Sequence, residues 1–485
     1  MLKAARGPVT AEDFPATSGA AGIAAVRRWR LRSQALPVVL FVLLALLYHS
    51  NGRPIAAGDS LPCSLIPFSL LMDHSANLDR FGPSLWANRA YSRGIVIFRN
   101  GHYHSFYPIA QGVLISPLYL PLILFSGAHQ WEPETLLFVA RICEKAVAVL
   151  LAAVTSVVMF RMLTRVVSNR WALLLAVLFG LGTNNWSICS QALWQHTSGQ
   201  LFIVVSLYFL VRWVKEGNHP RLVWWASVFA GLSILIRPTN VLFPIAVSCG
   251  MVFTSRSVKA CIRFAAIPAL CGLCVAADNM LIFGNALGGY GAYAGRHGEG
   301  VVALCGLLLS PGRGLFVYTP FLLFAFFGLR RDARERNELF VAVSCGLYAM
   351  LQVLVVANWP AWWGGFCWGP RLLTEIIPTL MLLVALGVRR FAASRKWMLA
   401  FVGFAAWSVF VQAVGVYCYP NGAWDAAPVS VDVRSARLWD LHDSPISRTL
   451  RGGVYRVPWG VHREFVTRGP RAAREKADEV RFILF

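Results

Sequence analysis

Apolar runs close to the ~20 residues that a helix needs to cross a bilayer recur along most of this chain, separated by short basic stretches. Taken in order they predict helices over 36–52, 136–163, 171–189, 198–214, 222–237, 239–254, 261–283, 314–330, 339–357, 372–388 and 397–417. Backbone exposed to lipid has to satisfy its own hydrogen bonds, which a helix does within one segment. The pattern therefore predicts an all-α polytopic membrane protein with about eleven spans. A further apolar stretch, 109–127, carries Pro117 and Pro121 and follows Pro108. Proline interrupts a helix, so this stretch is expected to lie in the membrane interface or dip into it without crossing.

Composition agrees: 57% hydrophobic and 14% charged residues with a mean hydropathy of +0.56 exclude an ordinary soluble globule. The net charge of +22 does not point to nucleic acid, because the basic residues fall in small clusters between apolar runs and no aromatic-basic motif for single strands accompanies them. The clusters read as topology. Arg27, Arg28, Arg30 and Arg32 precede the first span and place the amino terminus in the cytoplasm. The clusters Arg161/Arg165/Arg170, Lys215/Arg221, Arg256/Lys259/Arg263, Arg330/Arg331/Arg334/Arg336 and Arg389/Arg390/Arg395/Lys396 then fall on the same side. No small-residue cleavage site follows the first span, so it is read as an uncleaved helix.

This organisation gives a cytoplasmic lead over 1–35, a transmembrane domain over 36–417 and an extracytoplasmic tail over 418–485, in a multi-pass protein of the inner or cytoplasmic membrane. The outer face carries 53–135, 284–313, 358–371 and the tail, which at 68 residues is near the lower limit for an independent core and reads as a small, ordered or half-ordered appendage. Of the eleven cysteines, eight lie in or beside apolar runs and read as small buried hydrophobes. Cys63, Cys367 and Cys418 remain as candidates for pairing outside. The CxxC at Cys271 and Cys274 sits on an apolar helix without histidines at zinc spacing, which argues against a metal or redox role.

Candidate chemistry concentrates on the outer face. Asp59 follows the first span in a chain that keeps carboxylates scarce, within Gly58-Asp59-Ser60-Leu61-Pro62; it is either a base or a cap for the following helix. The same loop ends in His102-Tyr103-His104-Ser105-Phe106-Tyr107-Pro108, whose histidines and Tyr107 are candidates to flank a substrate, although alternation around Tyr103 also fits an amphipathic surface. Gln195 and His196 lie at the outer end of a span beside Trp194 and can bind hydroxyls. Arg371 begins a helix after a loop with four tryptophans and can take a phosphate, pair with Glu375 one turn on, or both. Arg313 lies between two glycines, where backbone can approach a phosphate, or it snorkels at the interface. Arg237 interrupts an apolar run before Pro238, a costly position unless it is paired or faces a cavity. Arg141 and Glu144, three residues apart within a span, read as a structural pair.

An acid soon after the first span, a long outer loop and the segments Arg237-Pro238-Thr239-Asn240, Ser310-Pro311-Gly312-Arg313-Gly314 and Trp368-Gly369-Pro370-Arg371 resemble the GT-C superfamily of lipid-carrier-dependent glycosyltransferases, in particular bacterial family-39-like members. The resemblance covers about 36–417 and leaves out the tail. It implies a GT-C-like bundle that transfers a sugar, with inversion, from a polyprenyl-phosphate carrier to a lipid, glycan or protein acceptor outside the cytoplasm. It implies Asp59 as general base and the arginines as phosphate ligands. Many members carry a second acid beside the first, whereas here Ser60 follows Asp59, so no cofactor and no metal are expected to be required. A transporter or lipid flippase and a polysaccharide polymerase or ligase are the alternatives. The first would show matched broken helices in two halves, and the second a key loop late in the chain. Under the transferase reading Asp59, Arg313 and Arg371 are expected to converge on one outward cavity.

Overall fold

The computed structural model describes the whole chain except residues 1–19, 57, 88–93, 255, 294–297, 330–335, 457 and 480–485. Most of the expected lead and the basic residues Arg330, Arg331 and Arg334 thus lie outside the described residues.

Helices occupy each predicted apolar segment. Among the described residues six are long and apolar enough to cross a membrane: Pro133–Leu163, Gln195–Lys215, Val258–Phe283, Asn337–Ala357, Arg371–Phe391 and Arg395–Tyr417. Shorter apolar helices at Ala35–His49, Asn169–Leu181, Pro220–Ile236, Pro238–Phe253 and Pro320–Leu329 fill the remaining positions. Arg371–Phe391 is central, with 83% of its apolar window buried, whereas Val258–Phe283 lies at the edge with 17%. Gln195–Lys215 packs on the next helix, Pro220–Ile236, which packs on Val258–Phe283, whereas Pro238–Phe253 between them packs chiefly on Asn337–Ala357. The stretch 109–127 is broken as its prolines dictate, into Ala110–Ile115, Ser116–Leu118 and Leu120–Phe125, with Leu114, Leu118, Leu124 and Phe125 exposed.

Two features depart from the expected pattern. The long segment after the first apolar helix contains an antiparallel hairpin, Val96–Arg99 with His102–Ser105, in an otherwise helical chain. Its turn is Asn100-Gly101, both at positive φ (53° and 83°), the backbone that a two-residue hairpin needs to match strand twist. The tail, in turn, is packed against the bundle. Val461, Ala473 and Ala477 join a core formed by Leu65, Leu136 and Ala140, while Gly312 N–H donates to Leu438 O at 2.9 Å. All eleven cysteines are free, Cys63, Cys367 and Cys418 included.

Small residues set the closest approaches. At Gly328 a Cβ would lie 2.0 Å from the backbone oxygen of Leu383, so Ala325–Leu329 touches Ile377–Phe391 backbone to backbone. Gly328→Ala forces the two apart and is expected to destabilise by about 1–3 kcal/mol, as overpacking does. Denaturation of the detergent-solubilised protein checks this, and an unchanged unfolding midpoint would contradict the packing described.

Candidate functional site

The site forms where several helices begin or end. Asp59 sits on the 3-10 turn Gly58–Ser60 at the entry to the helix Leu61–Asp73. It does not cap that helix; its Oδ2 lies 2.5 Å from Nη1 of Arg371. Ser60 accepts from Arg141 at 3.1 Å, and Arg141 is paired with Glu144 at 2.6 Å, as the i, i+3 spacing predicts. Glu144 also accepts from the backbone N–H of Leu193 at 3.0 Å. One buried pair on the helix Pro133–Leu163 therefore ties the Asp59 turn to the segment that carries Trp194, Gln195 and His196.

Arg371 opens a 3-10 segment, Arg371–Ile376, and does not pair with Glu375. A 3-10 helix has three residues per turn, which swings position i+4 about 120° away from position i. The two charges consequently serve different partners. Arg371 binds Asp59, donates from Nη2 to Gly364 O at 2.7 Å and lies over the Trp194 ring at 4.3 Å. Gly364 and Gly365 both hold positive φ, which turns their carbonyls toward Arg371 and Arg313 respectively. Glu375, fully buried, takes Arg237 at 2.7 Å and His196 at 2.8 Å. Arg237 is extended before Pro238, as a pre-proline residue prefers, and this ends the helix Pro220–Ile236 at the site.

Around these groups lies a cavity of about 600 Å³, within the range of small-ligand sites. Asp59, Arg371, Arg237, His196, Gln195 and Tyr107 all line it. Trp194, Thr239, Tyr290, Trp359, Trp363 and Asp432 complete its polar and aromatic walls. The Tyr290 hydroxyl donates to Gln195 Oε1 at 3.0 Å, and burial pushes the phenol up to about 12, so it stays protonated. On residues that line the cavity, four buried side-chain donors have no protein partner: Gln195 Nε2, Trp194 Nε1, Arg371 Nε and Thr239 Oγ1. The tryptophan loop divides its labour. Trp359 and Trp363 face the cavity, whereas Trp362 and Trp368 are buried in the core.

Three expected site residues are not brought there. Arg313 is fully buried but does not line the cavity, and it is held by Trp363 O, Gly312 O and Gly365 O at 2.9 Å each and by Asp425 at 2.6 Å. The flanking glycines let backbone approach the guanidinium itself. His102 and His104 stand on the hairpin, His102 bound to Asp79 at 2.6 Å and exposed, neither lining the cavity. Asp73 pairs with Arg80, so neither it nor Asp79 joins Asp59. Among the described residues no group of three His, Cys, Asp or Glu has a geometry that could hold a metal ion. Asp432, which the sequence did not single out, accepts from Trp363 Nε1 at 2.7 Å and brings the tail to the cavity.

The fold and site define a polytopic helical membrane protein with a charged, aromatic cavity at one end of its bundle. No family profile matches the chain, and no curated protein matches it. Among solved structures it is similar to the crystal structure of ArnT from Cupriavidus metallidurans bound to undecaprenyl phosphate, with a TM-score of 0.49 and 12% identity over 92% of this chain and 77% of that one. A likeness of that degree assigns no residue a role.

Glu375→Ala leaves Arg237 buried without a counter-ion and is expected to destabilise by about 3–5 kcal/mol. Asp73→Ala removes a partly exposed pair and is expected to cost under about 1 kcal/mol. Denaturant unfolding of the two variants separates these values, and equal losses would show that the Glu375 cluster is not a structural centre.

Proposed function

We propose that this protein is an integral-membrane glycosyltransferase that moves a sugar from a polyprenyl-phosphate carrier to an acceptor hydroxyl, with inversion, Asp59 acting as general base. The observation that carries the reading is the Asp59–Arg371 pair in the wall of a cavity with aromatic faces. A carboxylate and a guanidinium are the two charges such a reaction needs: one accepts the proton of the attacking hydroxyl, the other steadies the departing phosphate.

The pair also holds the Asp59 carboxylate in place at the cavity wall. A phosphate bound beside the Arg371 guanidinium has its leaving oxygen next to that positive charge. As the acceptor oxygen bonds to the anomeric carbon, the carbon–oxygen bond to phosphate breaks and its electrons go to the phosphate. The acceptor proton passes to Asp59. Gln195, Thr239 and Trp194 supply further donors to phosphate or sugar oxygens, and the faces of Trp359, Trp363 and Tyr290 suit sugar C–H surfaces. Arg237 and His196 act through Glu375, fixing the segment from which Arg371 projects. The lipid tail lies outside the polar cavity, along the apolar helices that surround it.

Asp59→Asn preserves shape but removes the base, and the expected loss of sugar transfer is on the order of 10²- to 10⁴-fold. The measurement is transfer of radiolabelled sugar from a polyprenyl-phosphate donor by membranes containing folded protein; full activity in this variant would remove Asp59 from the mechanism. Asp432→Asn is expected to raise the acceptor KM with kcat retained, because Asp432 lines the wall of the cavity and makes no contact with Asp59 or Arg371. A fall in kcat with KM unchanged would contradict that assignment.

A further inference from the structure

A second cavity, of about 370 Å³, is lined by Val158, Arg161, Arg165, Val205, Tyr208, Phe209 and Phe229. It takes no part in the site above. Arg141, beside Asp59, and Arg161 stand twenty residues apart on the continuous helix Pro133–Leu163. At 1.5 Å per residue they are about 30 Å apart, which is the thickness of a bilayer's hydrocarbon core. The second cavity therefore belongs to the opposite membrane interface, the one that the basic loops assign to the cytoplasm.

Its chemistry is divided along its length. At one end two guanidiniums share one carboxylate, Arg165 and Arg212 both binding Glu216, at 3.0 and 2.8 Å, while a third, that of Arg161, is exposed and makes no ion pair among the described residues. Arg165 also lies over the Tyr208 ring at 5.1 Å. The other end is apolar and membrane-facing, with Val158, Val205 and the stacked rings of Phe209 and Phe229 at 5.9 Å, all half-buried. Excess positive charge at interface depth above an apolar trough fits a ligand with an anionic head and a hydrocarbon tail.

We propose that this groove is a binding site for an anionic glycerophospholipid of the adjacent leaflet. The phosphate sits between Arg161 and Arg165, and one acyl chain runs along Phe209 and Phe229. A free phosphate would leave the apolar trough bare, and a zwitterionic lipid would carry a choline cation into the arginines. The proposal is independent of the glycosyltransferase reading.

Native mass spectrometry of the full chain in detergent tests it, with phosphatidylglycerol or phosphatidylcholine of the same acyl chains added. The wild type is expected to retain one phosphatidylglycerol in preference to phosphatidylcholine. Arg161→Gln, at an exposed and unpaired position, is expected to lower that retention roughly fivefold, the factor for one interfacial arginine. Arg161→Gln with Arg165→Gln should abolish the preference, the single variant deciding the matter if the double one does not fold. Equal retention of the two lipids, an unchanged Arg161→Gln, displacement of phosphatidylglycerol by excess inorganic phosphate, or a stronger Arg161-dependent retention of a polyprenyl monophosphate would each overturn the proposal.

Discussion

The structure around the cavity turns on one buried carboxylate. Glu375 has no exposure and lies inside an apolar bundle, where an unpaired charge is untenable. It is met by Arg237 and His196, which sit on two other elements at points where those elements also break or begin. A helix end in the bilayer leaves backbone groups unsatisfied, so such ends are tolerated only where they face protein or a polar cavity. Bringing the ends together around Glu375 solves both problems at once. The cavity is the space left between them, and Arg371, four positions before Glu375, is aimed into it by the 3-10 geometry that keeps the two side chains apart.

The large elements were legible from hydropathy because a bilayer imposes one length and one backbone solution. Every apolar run became a helix, and Pro117 and Pro121 broke the stretch where they stand. The hairpin's turn was legible too, in Asn100-Gly101, but the weight of helical segments hid it. At the site, Asp59, Arg371, Arg237, His196, Gln195 and Tyr107 were found because polar groups beside membrane spans are costly and therefore conspicuous.

What failed to show in the sequence depends on distant partners. Arg313 and Arg371 each follow a glycine-containing loop and look alike in one dimension. Only the fold reveals that Asp425 from the tail claims the first and Asp59 from the first loop claims the second. Arg313 nevertheless serves the cavity: by holding Trp363 O and Gly365 O it fixes the wall that faces Arg371. Asp432 had no local signal, since an exposed aspartate in a polar turn is ordinary until Trp363 is seen beside it.

The attachment of the tail gives the molecule an order of construction. Asp425, Asp432 and Leu438 lie after the last apolar helix, yet they hold Arg313, Trp363 and Gly312, which are made more than fifty residues earlier. During synthesis the bundle can assemble, with Asp59 and Arg371 already facing one another, while this side of the cavity still stands open. The chamber closes only when the final segment has reached the same side of the membrane as the cavity. Completion of that wall thus requires Asp425 and Asp432 to lie on the same side of the bundle as Arg313 and Trp363.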